Sequence, residues 1–172
     1  STSLVEGAVS ANLDGTDKSD RLARLSSIAA ENYLLDAAAV HDGLVERERL
    51  GPTGFGGGTA IPHCKVIGID MPVAVFAKLA KPVDYDAVDD EPVDLVCALI
   101  SPAQDGASHL RALAEISRLF RDEKFRTQLR GAADARPQAD ALTLAQEKSL
   151  VANARLLLVA ICCLGFWSLE QI

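Results

Sequence analysis

The sequence predicts an α/β fold, in the α+β sense, with a mixed central β-sheet sandwiched by helices. Two strongly apolar stretches at residues 73–79 and 93–100 predict strands, and the second is almost uninterrupted, as expected of a strand covered on both faces. Two helical patterns precede these strands and two follow them. Because helices lie on either side of the strands in the chain, we expect them to cover both faces of the sheet.

The first two helices are predicted at residues 17–32 and 36–49. In the first, leucine and isoleucine recur on one face. Thr16 or Asp17 can cap its N-terminus, because a short side-chain oxygen accepts a hydrogen bond from an otherwise free backbone N–H. The second helix ends before Gly51-Pro52, a pair that favours a helix stop.

A glycine-rich segment follows at residues 53–58, where four of the six residues are glycine. We expect a loop in which backbone N–H groups lie open to a ligand. A short strand is predicted at 59–61, directly after this loop. Between the two long strands, the acidic and proline-bounded segment 81–92 is expected to form a hairpin-like excursion on the surface.

A third helix is predicted after the second long strand, from His109 to about Phe120, with Ser108 as its N-cap. A short fourth helix is predicted at 122–133. By helical spacing, the residues of the third helix that should face the core are Leu110, Leu113, Ile116 or Ser117, and Phe120.

The length of 172 residues indicates one domain, which we place at residues 4–133. The tail at 134–172 has no assigned role. It contains an uncharged run at 156–167, which is too short to span about 30 Å of hydrocarbon as a helix. Three interpretations of this run stay open: a buried terminal helix or strand, a segment that is not native to the protein, and a membrane anchor.

The charge balance bears on the class of partner. The chain carries 17 Lys and Arg against 24 Asp and Glu, for a net charge of −7, so no nucleic-acid partner is expected and a basic protein partner is favoured. The four cysteines form no C-x-x-C pair, which fits a reducing compartment. The N-terminus has no signal-peptide pattern, so we expect a cytoplasmic protein with no membrane partner.

His63 stands in a distinctive local sequence, Ile61-Pro62-His63-Cys64. Proline fixes its own φ at about −65°, so covalent geometry helps to set the direction of the following imidazole. Taken alone, His63 also fits an ordinary histidine at the end of a strand. Next to a glycine-rich segment, it fits a nucleophile that must meet a bulky reagent.

Other candidates lie near the same segments. His109 begins a predicted helix, whose N-terminus favours an anion. Arg47 and Arg49 close the second helix, where a cation stabilises the helix dipole and where one of them can also clamp a phosphate with its planar guanidinium. His41 is interpreted as an ordinary helix histidine.

A nucleophilic histidine, an arginine, open amides and a second histidine are the parts that phosphoryl transfer requires, because a ring nitrogen attacks phosphorus while fixed donors hold the charge. Nucleotide motifs do not fit, since the loop lacks a G-K-[ST] ending and the G-x-G-x-x-G spacing. A metal site built from His63 and His109 has no evident third ligand. We therefore predict neither a metal nor a cofactor.

The stretch ERERLGPTGFGGGTAIPH at residues 46–63 resembles the signature of the fructose/mannitol-type EIIA domain of the bacterial phosphotransferase system. PVDLV at 92–96 and SHLRALA at 108–114 are similar to the same family, and the nearest branch is the stand-alone nitrogen-related EIIA. The resemblance covers residues 4–133. The chain departs from the pattern at Pro52 (usually Ser), Gly57 (often Asn) and Cys64 (usually Gly).

The resemblance implies a compact fold with a mixed sheet between helices. It also implies that His63 accepts a phosphoryl group from a small HPr-like or NPr-like carrier, with Arg47 at the phosphate site and His109 as the second site histidine. Thr53 matches a loop hydroxyl that contacts phosphate or stabilises the fold. We expect Thr53, Gly54 and Gly56 to form the phosphate-site loop.

Three functions remain open at this point. The first is a phosphocarrier in nitrogen-type regulation, whose two phosphorylation states bind different regulatory target proteins because a phosphate adds roughly −1.5 to −2 charges. The second is the EIIA component of a fructose/mannitol-type sugar system, which donates its phosphoryl group to a separate EIIB. The third is a non-enzymatic anion-binding module of the same fold.

Overall fold

This computed structural model describes residues 2–134 and the dipeptide Trp167–Ser168. Apart from this dipeptide, the tail after residue 134 lies outside the described residues, and so do residues 156–166 of its uncharged run, on which the three interpretations depend. In chain order, the elements are β1 (Thr2–Ser3), a 3-10 turn (Glu6–Ala8), β2 (Val9–Leu13), α1 (Lys18–Tyr33), α2 (Ala37–Arg49), β3 (Gly54–Gly56), β4 (Thr59–Ala60), β5 (His63–Val66), β6 (Val73–Val83), β7 (Val93–Pro102), α3 (Gly106–Arg121), α4 (Glu123–Asp134) and β8 (Trp167–Ser168).

The centre of the sheet is the antiparallel pair β6 and β7. The short strands β1 and β2 both pair in parallel with β6, and β4 and β5 both pair in parallel with β7. Each side of the central pair is therefore covered by two short strands in line. The break between β4 and β5 falls at Pro62, which has no N–H to donate, while its carbonyl accepts from the Leu99 N–H at 2.9 Å.

Helices lie on both faces of this sheet, as predicted. Cys64 of β5 faces α2, where its Sγ lies 3.8 Å from the carbonyl oxygen of Val40. Side chains alternate along a strand, so His63 points to the opposite face. There it meets His109 of α3, with ring centroids 5.4 Å apart. The mixed sheet between helices confirms the predicted fold class, and it brings one edge strand within reach of both helical layers.

The first two helices begin and end within one residue of their predicted bounds. Asp17 caps α1 by accepting from the N–H of Asp20, and Asp36 caps α2 by accepting from the N–H of Ala38. Of the helices in the described part of the chain, none combines the length and the hydrophobicity needed to cross a membrane.

The predicted start of α3 is wrong, and its predicted buried face is right for Ile116 and Phe120 but wrong for Leu110. Asp105, not Ser108, is the N-cap, because its side chain accepts from the Ser108 N–H at 3.0 Å. Leu110 is 68 % exposed, although the sequence places it in the core. A spacing of three or four residues fits two neighbouring stripes equally well. The stripe that the sheet covers consists of His109, Ala112, Ile116 and Phe120.

Two loop predictions also need correction. The glycine-rich segment is a hairpin, since Gly54 of β3 pairs with Ala60 of β4. The acidic segment 81–92 is not wholly an excursion on the surface, because β6 continues to Val83 and the side chain of Tyr85 is completely buried. Sequence reasoning also missed β5, whose four residues are too few to show a period.

Candidate functional site

The ring of His63 is oriented by its own backbone. Its Nδ1 lies 2.8 Å from the carbonyl oxygen of Ile61. A carbonyl oxygen only accepts hydrogen bonds, so Nδ1 carries a proton and donates it. In a neutral imidazole the lone pair then resides on Nε2. The short step across Pro62 thus fixes which nitrogen of His63 is nucleophilic.

Arg47 reaches this nitrogen from the last turn of α2. Its Nε–H donates to Nε2 of His63 at 3.0 Å, and its Nη1–H donates to the carbonyl oxygen of Gly51 at 2.9 Å. Because Nε2 accepts from a guanidinium that has no acceptor capacity, this contact requires the neutral ring. The structure therefore brings together two residues that are 16 positions apart in the chain.

Burial is the main cause that lowers the pKa of His63 below its usual value. The hydrogen bond to Ile61 raises the pKa, and the positive charge of Arg47 lowers it. The net direction is downward, so the ring is neutral at neutral pH. His63 remains half-buried, which leaves a reagent access to the ring.

His109 lies over His63 from the first turns of α3 and is only 7 % exposed. Its Nδ1 is 2.8 Å from the Oγ of Ser101, a β7 residue with no exposed surface. Burial lowers the pKa of His109 to about 4, and the positive charges of His63 in its protonated form and of Lys65 act in the same direction. Both site histidines are therefore neutral at neutral pH.

Thr53 supports the segment that holds His63. Its backbone N–H and its hydroxyl both donate to the carboxylate of Glu48, which also pairs with the Lys18 ammonium at 2.6 Å. The Thr53 carbonyl in turn accepts from the Ile61 N–H at 3.0 Å. In this structure the Thr53 hydroxyl thus stabilises the loop, which is one of the two roles expected for it.

The glycine turn lies away from the imidazole. Gly56 pairs with Thr59, which is in register with Leu95, whereas His63 is in register with Leu99. Four residues along a strand span about 13 Å. The Gly57 N–H donates to Asp89 at 2.8 Å. The structure therefore does not place the backbone N–H groups of the glycine turn around His63, as the sequence led us to expect. Gly54 is linked to the site only indirectly, because it pairs with Ala60, which precedes Ile61.

The remaining sequence candidates lie outside this cluster. Arg49 forms an exposed ion pair with Glu46 at 2.7 Å. His41 lies within α2, and its Nε2 is buried with no hydrogen-bond partner among the described residues. Burial raises the pKa of the Cys64 thiol to about 12, so this neighbour of His63 is not a thiolate nucleophile. Across residues 2–134, no group of three or more potential ligands is placed to hold a metal ion.

Three contributors to the site were not identified from the sequence. The carbonyl of Ile61 carries no sequence signal, because every residue has one. Glu48 lies inside the quoted stretch beside Arg47, yet its partners become visible only in three dimensions. Ser101 did offer a signal, since it is a polar residue directly after a long apolar run and β7 continues through it.

The chain is similar in sequence to a known family and to several curated proteins. Residues 3–142 match the family model for the phosphoenolpyruvate-dependent sugar phosphotransferase system, EIIA 2. A nitrogen regulatory protein of Bradyrhizobium diazoefficiens is 41 % identical over 127 residues, which cover 74 % of this chain and 83 % of the relative. A nitrogen regulatory protein of Pseudomonas aeruginosa is 37 % identical over 140 residues, which cover 81 % and 88 %.

A solved structure shares the fold. The crystal structure of the nitrogen regulatory protein IIA-Ntr from Neisseria meningitidis superimposes with a TM-score of 0.70 at 24 % sequence identity. The match covers 86 % of this chain and 95 % of that one.

Proposed function

The chain belongs to the EIIA type-2 family of the phosphoenolpyruvate-dependent sugar phosphotransferase system, and we propose that it is a phosphocarrier in nitrogen-type regulation whose acceptor atom is Nε2 of His63. The donor in this proposal is a small HPr-like or NPr-like carrier. The observation that carries the proposal is the 2.8 Å hydrogen bond from Nδ1 of His63 to Ile61, because it leaves the lone pair on Nε2.

The transfer step balances without an added base. The Nε2 lone pair of His63 forms a bond to phosphorus, and the bond between phosphorus and the donor nitrogen breaks, so that the donor leaves with its electron pair. The proton on Nδ1 stays in place and continues to donate to Ile61. The N–P bond remains labile, so the phosphoryl group can be passed on to a further acceptor, with Nε2 of His63 as the leaving nitrogen.

Arg47 and His109 supply the donors around the transferred group. The guanidinium of Arg47 now contacts Nε2, and it turns to the phosphoryl oxygens as phosphorus approaches. The ring of His109 stands 5.4 Å from the ring of His63, close enough for an N–H to meet a phosphoryl oxygen. Fixed donors of this kind stabilise charge on the equatorial oxygens during transfer.

The names of the two relatives favour the regulatory form of this activity, since both are nitrogen regulatory proteins. The family description favours a second candidate, a sugar-system EIIA that donates to EIIB. The two candidates share the His63 chemistry and differ in the protein that receives or senses the phosphoryl group. A phosphate on half-buried His63 changes the local charge by roughly −1.5 to −2, which is enough to change partner docking.

Uptake is tested by incubating the protein with phosphoenolpyruvate, enzyme I and HPr, followed by intact mass measurement at neutral to alkaline pH. We expect the mass of one phosphoryl group to be added to the wild type and none to His63→Ala. The matched control, His41→Ala, should be phosphorylated like the wild type. Absence of phosphate on the wild type would favour the anion-binding module instead.

The two phosphocarrier candidates are separated by a second assay. The phosphorylated protein is mixed with sugar-specific EIIB proteins, and transfer is followed by the loss of its phosphoryl mass. The regulatory proposal predicts slow transfer that is independent of sugar. Rapid, sugar-dependent transfer would establish the sugar-system role instead.

A further inference from the structure

We propose that Ser101 is a positioning residue for phosphoryl transfer, because its hydroxyl donates to Nδ1 of His109 and thereby keeps the ring proton of His109 on Nε2. This inference rests on the proposed function of His63 as acceptor. According to this inference, the buried side chain of Ser101 determines which of its two neutral tautomers His109 adopts.

The strand register places Ser101 on the face where the chemistry occurs. In the parallel pairing of β5 with β7, His63 is in register with Leu99 and Lys65 with Ser101. Residues two apart on a strand share a face, so His63 and Ser101 both point toward α3. His109 projects from α3 over this face and contacts the serine on one side while it faces the His63 ring on the other.

The donor in the hydrogen bond between Ser101 and His109 can be identified from the groups that surround the serine hydroxyl. Ser101 has no exposed surface, and among the described residues its hydroxyl has one partner, Nδ1 of His109. A buried hydroxyl proton needs an acceptor, and a neutral imidazole offers one acceptor nitrogen. Burial holds His109 in its neutral form at neutral pH. The hydroxyl therefore donates, Nδ1 accepts, and the ring proton resides on Nε2.

The position of this proton determines whether His109 attracts or repels the phosphoryl oxygens. The bond to Ser101 occupies Nδ1 of His109, and the ring of His109 lies beside that of His63, with centroids 5.4 Å apart. An N–H on Nε2 can donate to a phosphoryl oxygen on His63. A lone pair there would face negatively charged oxygens and repel them. Ser101 thus determines whether His109 assists or opposes the transfer, although Ser101 itself touches no reacting atom.

The tautomer is measured directly in protein labelled with 15N-histidine, by long-range 1H–15N spectra of the unphosphorylated chain at pH 7.5. We expect the proton of His109 on Nε2 in the wild type and in Ser101→Thr, which keeps the hydroxyl. In Ser101→Ala we expect a mixture of both tautomers. A proton on Nδ1 in the wild type overturns the proposal, and this readout is independent of phosphoryl transfer.

The rate of phosphoryl uptake gives the second readout. Ser101→Ala should slow uptake about tenfold, the effect expected from loss of one neutral hydrogen bond. It should add nothing in a His109→Ala background, because the serine acts through that ring. The control Ser26→Ala removes another buried hydroxyl, which donates to Leu22 within α1, and should leave the rate unchanged.

Two results for the rate of uptake overturn the proposal. One is a wild-type rate in Ser101→Ala. The other is a double variant, Ser101→Ala with His109→Ala, whose rate falls by the product of the two single effects. A wild type that takes up no phosphate refutes the proposed function instead. That failure is recognised separately, because the tautomer measurement does not depend on it.

Discussion

The guanidinium of Arg47 lies against Nε2 of His63, the atom that phosphorus approaches in the proposed transfer. Its Nε–H donates to Nε2 of His63 at 3.0 Å and so contacts the lone pair that the proposed transfer uses. Its second anchor, the carbonyl of Gly51, holds the guanidinium at the loop after α2. Arg47 therefore has two tasks in the proposed cycle: it keeps Nε2 unprotonated in the resting protein, and it then moves to the phosphoryl oxygens.

Arg47→Lys should slow phosphoryl uptake by about 100-fold, because an ammonium lacks the planar fork that can contact Gly51 and a phosphoryl oxygen together. Arg47→Met should in addition raise the pKa of His63, since the positive charge that lowers it is removed. Uptake is measured by rapid quench and the pKa by NMR titration. Arg49→Lys, at an exposed ion pair, is the control and should behave like the wild type.

An Arg47→Lys variant with the wild-type rate would show that charge alone suffices at this position. An unchanged pKa of His63 in Arg47→Met would show that the contact has no electrostatic effect on the ring.

The side chains of the site were predictable to a greater extent than its backbone. His63 and Arg47 lie in one distinctive stretch, and His109 follows the strand that pairs with β5. The orienting carbonyl of Ile61 was not predictable, because backbone groups are the same in every sequence. The glycine segment suggested open amides, yet a hairpin pairs Gly54 with the following strand and the Gly57 N–H contacts Asp89.

The fold was predictable where long apolar runs and helix caps mark the elements, as they do for β7 and α1. It was not predictable where a strand depends on its neighbours. β1 has two residues and β5 has four, and both gain their pairing from the long central strands. The buried face of α3 was assigned correctly at Ile116 and Phe120 but not in its first turns, because His109 and Ala112 are less hydrophobic than Leu110.

The corrected face of α3 can be checked by a pair of truncations on the same helix. Ile116→Ala should lower the free energy of unfolding by about 2–5 kcal/mol, since Ile116 is only 2 % exposed and its loss leaves a cavity. Leu110→Ala should change it by less than about 0.5 kcal/mol, because this side chain lies largely in solvent. Urea titration measures both, and equal losses would contradict the assigned face.

Acid should destabilise the protein through His109. Its pKa is about 4 in the folded state, against about 6.5 for histidine in an unfolded chain. Between these values the unfolded state binds more protons, so the free energy of unfolding falls as the pH falls from about 6.5 to about 4. His63, whose pKa is also lowered, contributes in the same direction.

Replacing His109 by glutamine should therefore reduce the slope of stability against pH in this window, whatever it does to stability at neutral pH. The measurement is urea denaturation of wild type and His109→Gln at several pH values between 4 and 7. Parallel curves for the two proteins would mean that burial of His109 does not disfavour its protonated form.

Glu48 links the packing of α2 to the loop that orients His63. Glu48→Ala removes the acceptor for both donors of Thr53 and leaves Lys18 without its 2.6 Å partner, in a carboxylate site that is 9 % exposed. Because these bonds involve a charged and largely buried acceptor, we expect a loss of roughly 3 kcal/mol in the free energy of unfolding. Phosphoryl uptake should slow as well, since Thr53 supports Ile61 and Ile61 orients the acceptor ring.

Glu46→Ala is the matched control, because Glu46 lies on the same helix and also forms an ion pair, here with Arg49. The side chains of Glu46 and Arg49 are both about 70 % exposed, so this ion pair should contribute at most about 0.5 kcal/mol to the free energy of unfolding. Chemical denaturation and the uptake assay are applied to both variants. If Glu48→Ala lost no more stability than Glu46→Ala, the Glu48 carboxylate would not anchor the Thr53 loop. If it lost stability but kept the wild-type rate of uptake, the orientation of His63 would depend on Pro62 and its own backbone rather than on that loop.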